Sequence, residues 1–210
     1  MRRRVLAAIT AAAVLLVPAC SAAEEPDAKQ VSQLRGTELG KPFERPKAVL
    51  ADLAGQPFDV AARLGEGKLT LLYFGYTNCP DVCPTTVADL AAALRKLPEA
   101  TRAQVRVVMV SSDPARDTPK DFRAWLDRFD PSFTGLTGEI TPIVELARSV
   151  GIGLDPPKVN SQGDYEVEHG AQVVAFTPDG LAHRFYRSGT SPDDFAHDIP
   201  LLLKIYPKEK

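Results

Sequence analysis

Apolar residues in this chain fall into short dense runs, and the stretches between them carry apolar positions at helical spacing. The densest run is Leu69-Thr70-Leu71-Leu72-Tyr73-Phe74, bounded by Gly67 and Gly75. A continuous apolar run of that length predicts an interior strand covered on both faces. Val87, Leu90, Ala91 and Leu94 follow at helical spacing, which predicts a helix. Val105-Arg106-Val107-Val108-Met109-Val110-Ser111-Ser112 reads as a second buried strand. Strand, helix and strand in that order make a β-α-β crossover, whose strands pair in parallel.

The flanks are equally patterned. Ala48 to Val60 reads as two short strands around a glycine turn. Thr118 and Pro119 suit the cap and first position of a helix over Lys120 to Phe129. A further helix covers Ile140 to Val150 and stops at Gly151. Gln172 to Phe176 and Leu181 to Tyr186 flank Thr177-Pro178-Asp179-Gly180, and an Asp-Gly turn marks a β-hairpin. A last helix runs from Pro192 to Ile205, capped by Ser191. The expected fold class is α/β, a thioredoxin-like sandwich with an N-terminal β-hairpin and an inserted or late β-hairpin.

The N-terminus follows a different logic. Arg2, Arg3 and Arg4 precede an apolar stretch from Val5 to Val17, and Val17-Pro18-Ala19-Cys20-Ser21 follows. The stretch is too short and alanine-rich for a good membrane span. A small residue before a cysteine there resembles a bacterial lipoprotein signal, which implies acylation at Cys20. Ordinary signal cleavage and an uncleaved anchor are the alternatives. Residues 1–20 are thus expected to be a lipoprotein-type signal peptide, 21–40 a flexible polar tether, and 41–210 one domain. All versions place the domain outside the cytoplasm, lipid-anchored at the extracytoplasmic face of the cell membrane in the first, where disulfides persist. The chain carries 25 Lys and Arg against 27 Asp and Glu. Without Arg2–Arg4 the body is mildly acidic, which argues against nucleic acid as a partner.

The chain has three cysteines, so a lipidated Cys20 leaves Cys79 and Cys83 for chemistry. They stand four residues apart between the first buried strand and its helix, among Pro80, Asp81 and Pro84. On one helix the two sulfurs would face the same side. They could close a disulfide, hold one soft metal ion, or serve as small buried hydrophobes. A helix N-terminus favours the thiolate. Asp81 could tune the thiolates or simply serve as a turn and cap residue. Of the three histidines, His183 reads as structural or surface and His197 as a residue of a solvated face. His169 sits at a loop-to-strand junction, where a side chain can reach a cleft.

Three blocks carry a family resemblance. Tyr73-Phe74-Gly75-Tyr76-Thr77-Asn78-Cys79-Pro80-Asp81-Val82-Cys83-Pro84 resembles the signature of the Sco/SenC family, copper-binding assembly factors for cytochrome c oxidase. Ser111-Ser112-Asp113-Pro114-Ala115-Arg116-Asp117-Thr118-Pro119 is similar to the family's second block, and Tyr165-Glu166-Val167-Glu168-His169 to its third. Glu168 and Gly170 depart mildly from the family pattern, and neither removes a ligand.

The resemblance implies one copper bound through Cys79, Cys83 and His169. Two thiolates and an imidazole make a soft three-donor set suited to Cu(I), with Cu(II) also within reach, whereas zinc prefers a fourth ligand. The implied partners are a copper donor protein and the oxidase subunit that carries CuA. Asp113 and Arg116 are expected to brace the loop near the site. The alternative function is a thiol-disulfide oxidoreductase working through the Cys79/Cys83 redox pair. A thioredoxin-like peroxidase is weaker, because Tyr76-Thr77-Asn78-Cys79 does not supply a peroxide pocket.

Overall fold

The computed structural model describes residues 26–208. The chain opens with α1 (Ala28–Val31), β1 (Thr37–Phe43), β2 (Val49–Asp52), β3 (Pro57–Asp59) and α2 (Val60–Arg63). Next come β4 (Leu69–Gly75), α3 (Val82–Lys96), α4 (Glu99–Arg102) and β5 (Val105–Ser111). The chain continues through α5 (Pro119–Asp127), β6 (Thr134–Thr137) and α6 (Ile140–Ser149). It ends with β7 (Lys158–Val159), β8 (Tyr165–Glu166), β9 (Val173–Phe176), β10 (Ala182–Tyr186) and α7 (Pro192–Ile205).

One eight-stranded sheet runs in the order β1-β10-β9-β4-β5-β6-β2-β3, while β7 and β8 form a separate ribbon. β4, β5 and β6 are parallel, as a β-α-β crossover requires. β9 runs antiparallel to β4. Every residue of β4 is buried, and its period-two alternation divides the core. Leu69, Leu71 and Tyr73 pack with Val87 and Leu90 of α3 and Phe195 and Leu202 of α7. Leu72 and Phe74 face the other way, onto Ile143, Val144 and Ala147 of α6. Helices on both faces explain why β4 is apolar throughout rather than alternating. Each such side chain contributes about 1.5–3 kcal/mol by leaving water.

The helix ends follow the expected chemistry. Thr118 accepts from the Asp121 N–H and Ser191 from the Asp194 N–H. Gly151 and Gly180 adopt positive φ, 73° and 88°, where the α6 stop and the β9–β10 turn require it.

Two features differ from the sequence pattern. The body begins before residue 41: α1 and β1 occupy part of the stretch assigned to the tether, and β1 pairs with β10. The cause lies at the far end of the chain. The buried Asp198 carboxylate accepts the backbone N–H groups of Arg35 and Gly36, at 2.8 Å each, and anchors a segment with little hydrophobicity of its own. β6 is also absent from the pattern. Its Thr-Gly-Leu-Thr sequence is too short and glycine-broken to announce a strand, and pairing with β5 and β2 makes it one. No helix among the described residues is long and apolar enough to cross a membrane.

Candidate metal centre

Topology places the site at the C-terminal ends of the parallel strands, where α/β sheets hold ligands. The loop from Tyr76 to Asp81 leaves β4 and the loop from Ser112 to Thr118 leaves β5. The Ser112 N–H reaches the Gly75 carbonyl at 2.8 Å, which ties the two exits together. β9 is antiparallel with Leu72 opposite Val174. The residues that lead into β9 therefore run past the exit of β4, and His169 arrives beside Cys83.

Cys83 lies in the first turn of α3 and is 0% exposed. Its sulfur packs where Gly75 has no side chain: a Cβ there would meet Cys83 Sγ at 3.0 Å and the Tyr73 ring at 2.8 Å. Cys79 is not on the helix, which corrects the expectation of a shared helical face. It sits in the preceding loop, part-exposed, and its sulfur accepts the Cys83 backbone N–H at 3.4 Å. Asp81 holds the N-cap position but makes no side-chain cap bond. The helix end lacks a carboxylate cap, and the Cys79 sulfur takes one of its free N–H groups.

His169 Nε2 stands 3.6 Å from Cys83 Sγ. Its Nδ1 lies 3.0 Å from the Gly170 carbonyl. A carbonyl only accepts, so the proton belongs on Nδ1, and Nε2 presents its lone pair to the sulfur. The rings of Tyr73 and Tyr76 stand edge-on to the imidazole, at 6.3 and 5.8 Å between centroids. Cys79 and Cys83 are free thiols. Among the described residues, no group of three or more His, Cys, Asp or Glu side chains converges at metal-holding distance. Cys83 neighbours both other groups: its backbone N–H meets the Cys79 sulfur, and its own sulfur faces His169 Nε2.

The two thiols differ electrostatically. Burial pushes Cys83 up to about 12. Burial also works against the Cys79 thiolate, but the Cys83 thiol and the N–H groups of Cys83, Asp81 and Val82 outweigh it and hold Cys79 below the ordinary thiol range. Burial lowers His169, which keeps the imidazole neutral. Burial, with Cys83 next to it, pushes the Tyr73 phenol upward. Iodoacetamide at pH 7.5 is therefore expected to modify Cys79 at least about tenfold faster than Cys83, since the thiolate reacts and Cys83 has almost none. Peptide mass mapping of brief labelling checks this; equal rates would contradict the asymmetry.

The other expected residues are placed as follows. Asp113 and Arg116 form an ion pair in the loop after β5. His183 is structural: it pairs with Asp179 at 2.7 Å and stacks on Tyr206 at 3.8 Å. His197 is part-exposed and contacts the buried Asp198 at 2.8 Å. Cys20 lies outside the described residues. Asp117 was not distinguishable in the sequence from a residue of the helix entry, yet it is fully buried and receives the Thr77 hydroxyl at 2.6 Å. Burial raises its pKa, and the Ser111 and Thr77 donors oppose that rise. The available signal was its place four residues after Asp113 in a loop with too few cations for both.

A sequence profile described as SCO1/SenC matches residues 33–204. A candidate copper-binding protein of Stutzerimonas stutzeri is 34% identical over 164 residues, covering 77% of this chain and 79% of its own. The solution structure of apo Sco1 from Thermus thermophilus is 33% identical, with a TM-score of 0.65, covering 80% of this chain and 94% of that one. The crystal structure of Arabidopsis thaliana ScoI with copper bound is 30% identical, with a TM-score of 0.66, covering 80% and 99%. Several mitochondrial relatives are longer, and the matched region spans 42–46% of their length.

Proposed function

The chain belongs to the SCO1/SenC family, and on that premise we propose that it is a copper-binding assembly factor for cytochrome c oxidase. In this reading Cys79, Cys83 and His169 take one Cu(I) as cargo and pass it to the subunit that carries the CuA centre. The observation that supports it most is the 3.6 Å approach of His169 Nε2 to Cys83 Sγ. Thiol exchange needs no distant imidazole, whereas a soft ion does use one beside two sulfurs.

The residues present suit that cargo. The imidazole is neutral with its lone pair free, and Cys79 is already biased to the thiolate. Cys83 is a thiol that must lose its proton, so loading releases protons and is favoured as pH rises. Few donors and a part-exposed Cys79 leave room for incoming thiolates of a donor or acceptor protein to displace these ligands one at a time. Oxidation of the pair to a disulfide removes two donors at once, so redox state controls loading. The mildly acidic body, the export segment over residues 1–20 and acylation of Cys20 complete the reading: a lipid-anchored protein on the extracytoplasmic face of the cell membrane.

The asymmetry of the cysteines favours one alternative, thiol-disulfide exchange. The Cys79 thiolate would attack a target disulfide and form a mixed disulfide, which Cys83 would resolve as its proton passes to a departing target thiol. The reaction would leave a Cys79–Cys83 disulfide and two reduced target thiols. Anaerobic Cu(I) titration of the reduced protein against a chromogenic chelator separates the two. His169→Ala is expected to lower Cu(I) affinity by about 100-fold and to leave disulfide formation intact. Unchanged affinity in that variant would refute the histidine's role and favour exchange.

A further inference from the structure

The loop between β5 and α5 touches both halves of the candidate site. On one side the buried Asp117 accepts the Thr77 N–H at 3.1 Å, the Thr77 hydroxyl at 2.6 Å and the Ser111 hydroxyl at 2.6 Å. Thr77 stands two residues before Cys79. On the other side the fully buried Asp113 accepts the Tyr165 hydroxyl at 2.8 Å and pairs with Arg116. The Arg116 guanidinium lies 3.9 Å from the centre of the Tyr165 ring. Tyr165 stands four residues before His169.

The β7–β8 ribbon that carries Tyr165 has little else to hold it. Its strands are two residues each, Lys158 and Val159 are exposed, and Tyr165 is 40% exposed. None of its residues belongs to either core cluster. A two-stranded ribbon is marginal in water without packing. Beyond it, the Gly170 N–H meets the Gly153 carbonyl at 2.7 Å, and Leu154 bridges His169. Those contacts tie His169 to the segment after α6. The Tyr165 contact ties the ribbon to the loop that also holds Thr77. The guanidinium donates through Nε to Asp113 while its planar face covers the Tyr165 ring, and lysine has no such planar face.

We propose that Asp113, Arg116 and Tyr165 form a positioning clamp that holds the ribbon leading into His169 in register with the cysteine loop and so sets how tightly copper is kept. The clamp touches no donor atom and acts through the backbone that carries His169. This inference deepens the copper-site reading and rests on it.

Tyr165→Ala, Tyr165→Phe and Arg116→Lys test it, each made alone and with His169→Ala. Hydrogen-deuterium exchange of residues 158–170 in the reduced, metal-free protein is the first readout. Cu(I) competition with a chromogenic chelator is the second. Tyr165→Ala is expected to speed exchange across 158–170, to lower Cu(I) affinity roughly tenfold and to leave the thermal midpoint unmoved. Tyr165→Phe, which keeps the ring under Arg116, should lose only a few-fold. In the His169→Ala background Tyr165→Ala should cost nothing further, because the donor it positions is gone. Unchanged exchange in Tyr165→Ala, or an equal loss with and without His169, would overturn the clamp. Should Tyr165→Ala fail to fold, Tyr165→Phe and Arg116→Lys carry the same comparison. A wild-type protein that takes up no Cu(I) would sink the copper reading, while the exchange data would still judge whether the ribbon is clamped.

Discussion

Serine in place of Cys83 is expected to abolish tight copper binding and disulfide formation together. Cys83 is the common neighbour of the other two candidate donors: its N–H contacts Cys79 Sγ and its own sulfur faces His169 Nε2. A hydroxyl is a hard donor that stays protonated where a thiol can yield a thiolate, so serine supplies no soft anion. In structural zinc sites about 10–16 kcal/mol is shared among four ligands. One thiolate is therefore worth roughly 3 kcal/mol, or a loss of affinity on the order of 100-fold to 1,000-fold. The loss should exceed that of His169→Ala, and it removes the redox pair as well. Near-isosteric replacement keeps the side chain's place in the core cluster that also holds Tyr73 and Met109, and circular dichroism should show an intact fold. Cu(I) competition combined with a thiol count after mild oxidation checks this. Retained affinity would remove Cys83 from the ligand set.

Asp198→Ala should produce the largest loss of stability. Asp198 is 0% exposed, and no lysine or arginine side chain pairs with it among the described residues. Backbone N–H groups of Arg35 and Gly36, the Tyr186 hydroxyl at 3.0 Å and His197 Nδ1 surround it instead. Alanine leaves the two N–H groups and the phenol without partners in a closed space, at about 1–3 kcal/mol for each group left unsatisfied. Water entry and local relaxation offset part of that, so a net loss of about 3–5 kcal/mol is expected. For a domain of this size the thermal midpoint should fall by roughly 10 °C. Because Arg35 and Gly36 lead directly into β1, residues 28–43 should exchange amide protons first. A midpoint within about 2 °C of wild type would show that the carboxylate is dispensable. Under the lipid-anchor reading, this joint is where the tether meets the folded body.

The parts of the fold that are legible in the sequence are those whose burial writes a local period. β4 and β5 carry continuous apolar runs because helices cover both faces. α7 keeps the predicted bounds, Pro192–Ile205, because a serine cap and an N1 proline mark its start. β1 and β6 lack such a signature: Thr37–Phe43 has alternating exposure at an edge of the sheet, and Thr134–Thr137 is four residues around a glycine. Both are strands through their neighbours' hydrogen bonds. At the candidate site, Cys79 and Cys83 stand out by rarity and by place after a strand. Asp117, Tyr165 and Gly75 do not, because what each does depends on a contact from another segment: Thr77, Arg116 and the Cys83 sulfur respectively.

The amino-acid order alone determined an α/β core, a cysteine pair at a strand-to-helix junction and a family resemblance carried by three separated blocks. Tertiary structure decided what those blocks do to one another. Antiparallel β9 beside β4 brings His169 to a sulfur 86 residues away, and the fold of the connecting loop, rather than a common helical face, sets Cys79 against the N–H of Cys83. Burial and local N–H donors then divide two identical side chains, holding part-exposed Cys79 below the ordinary thiol range and pushing buried Cys83 above it. The reason is physical: periodicity records which faces leave water, whereas strand order, register and local dielectric arise only when distant segments share a surface.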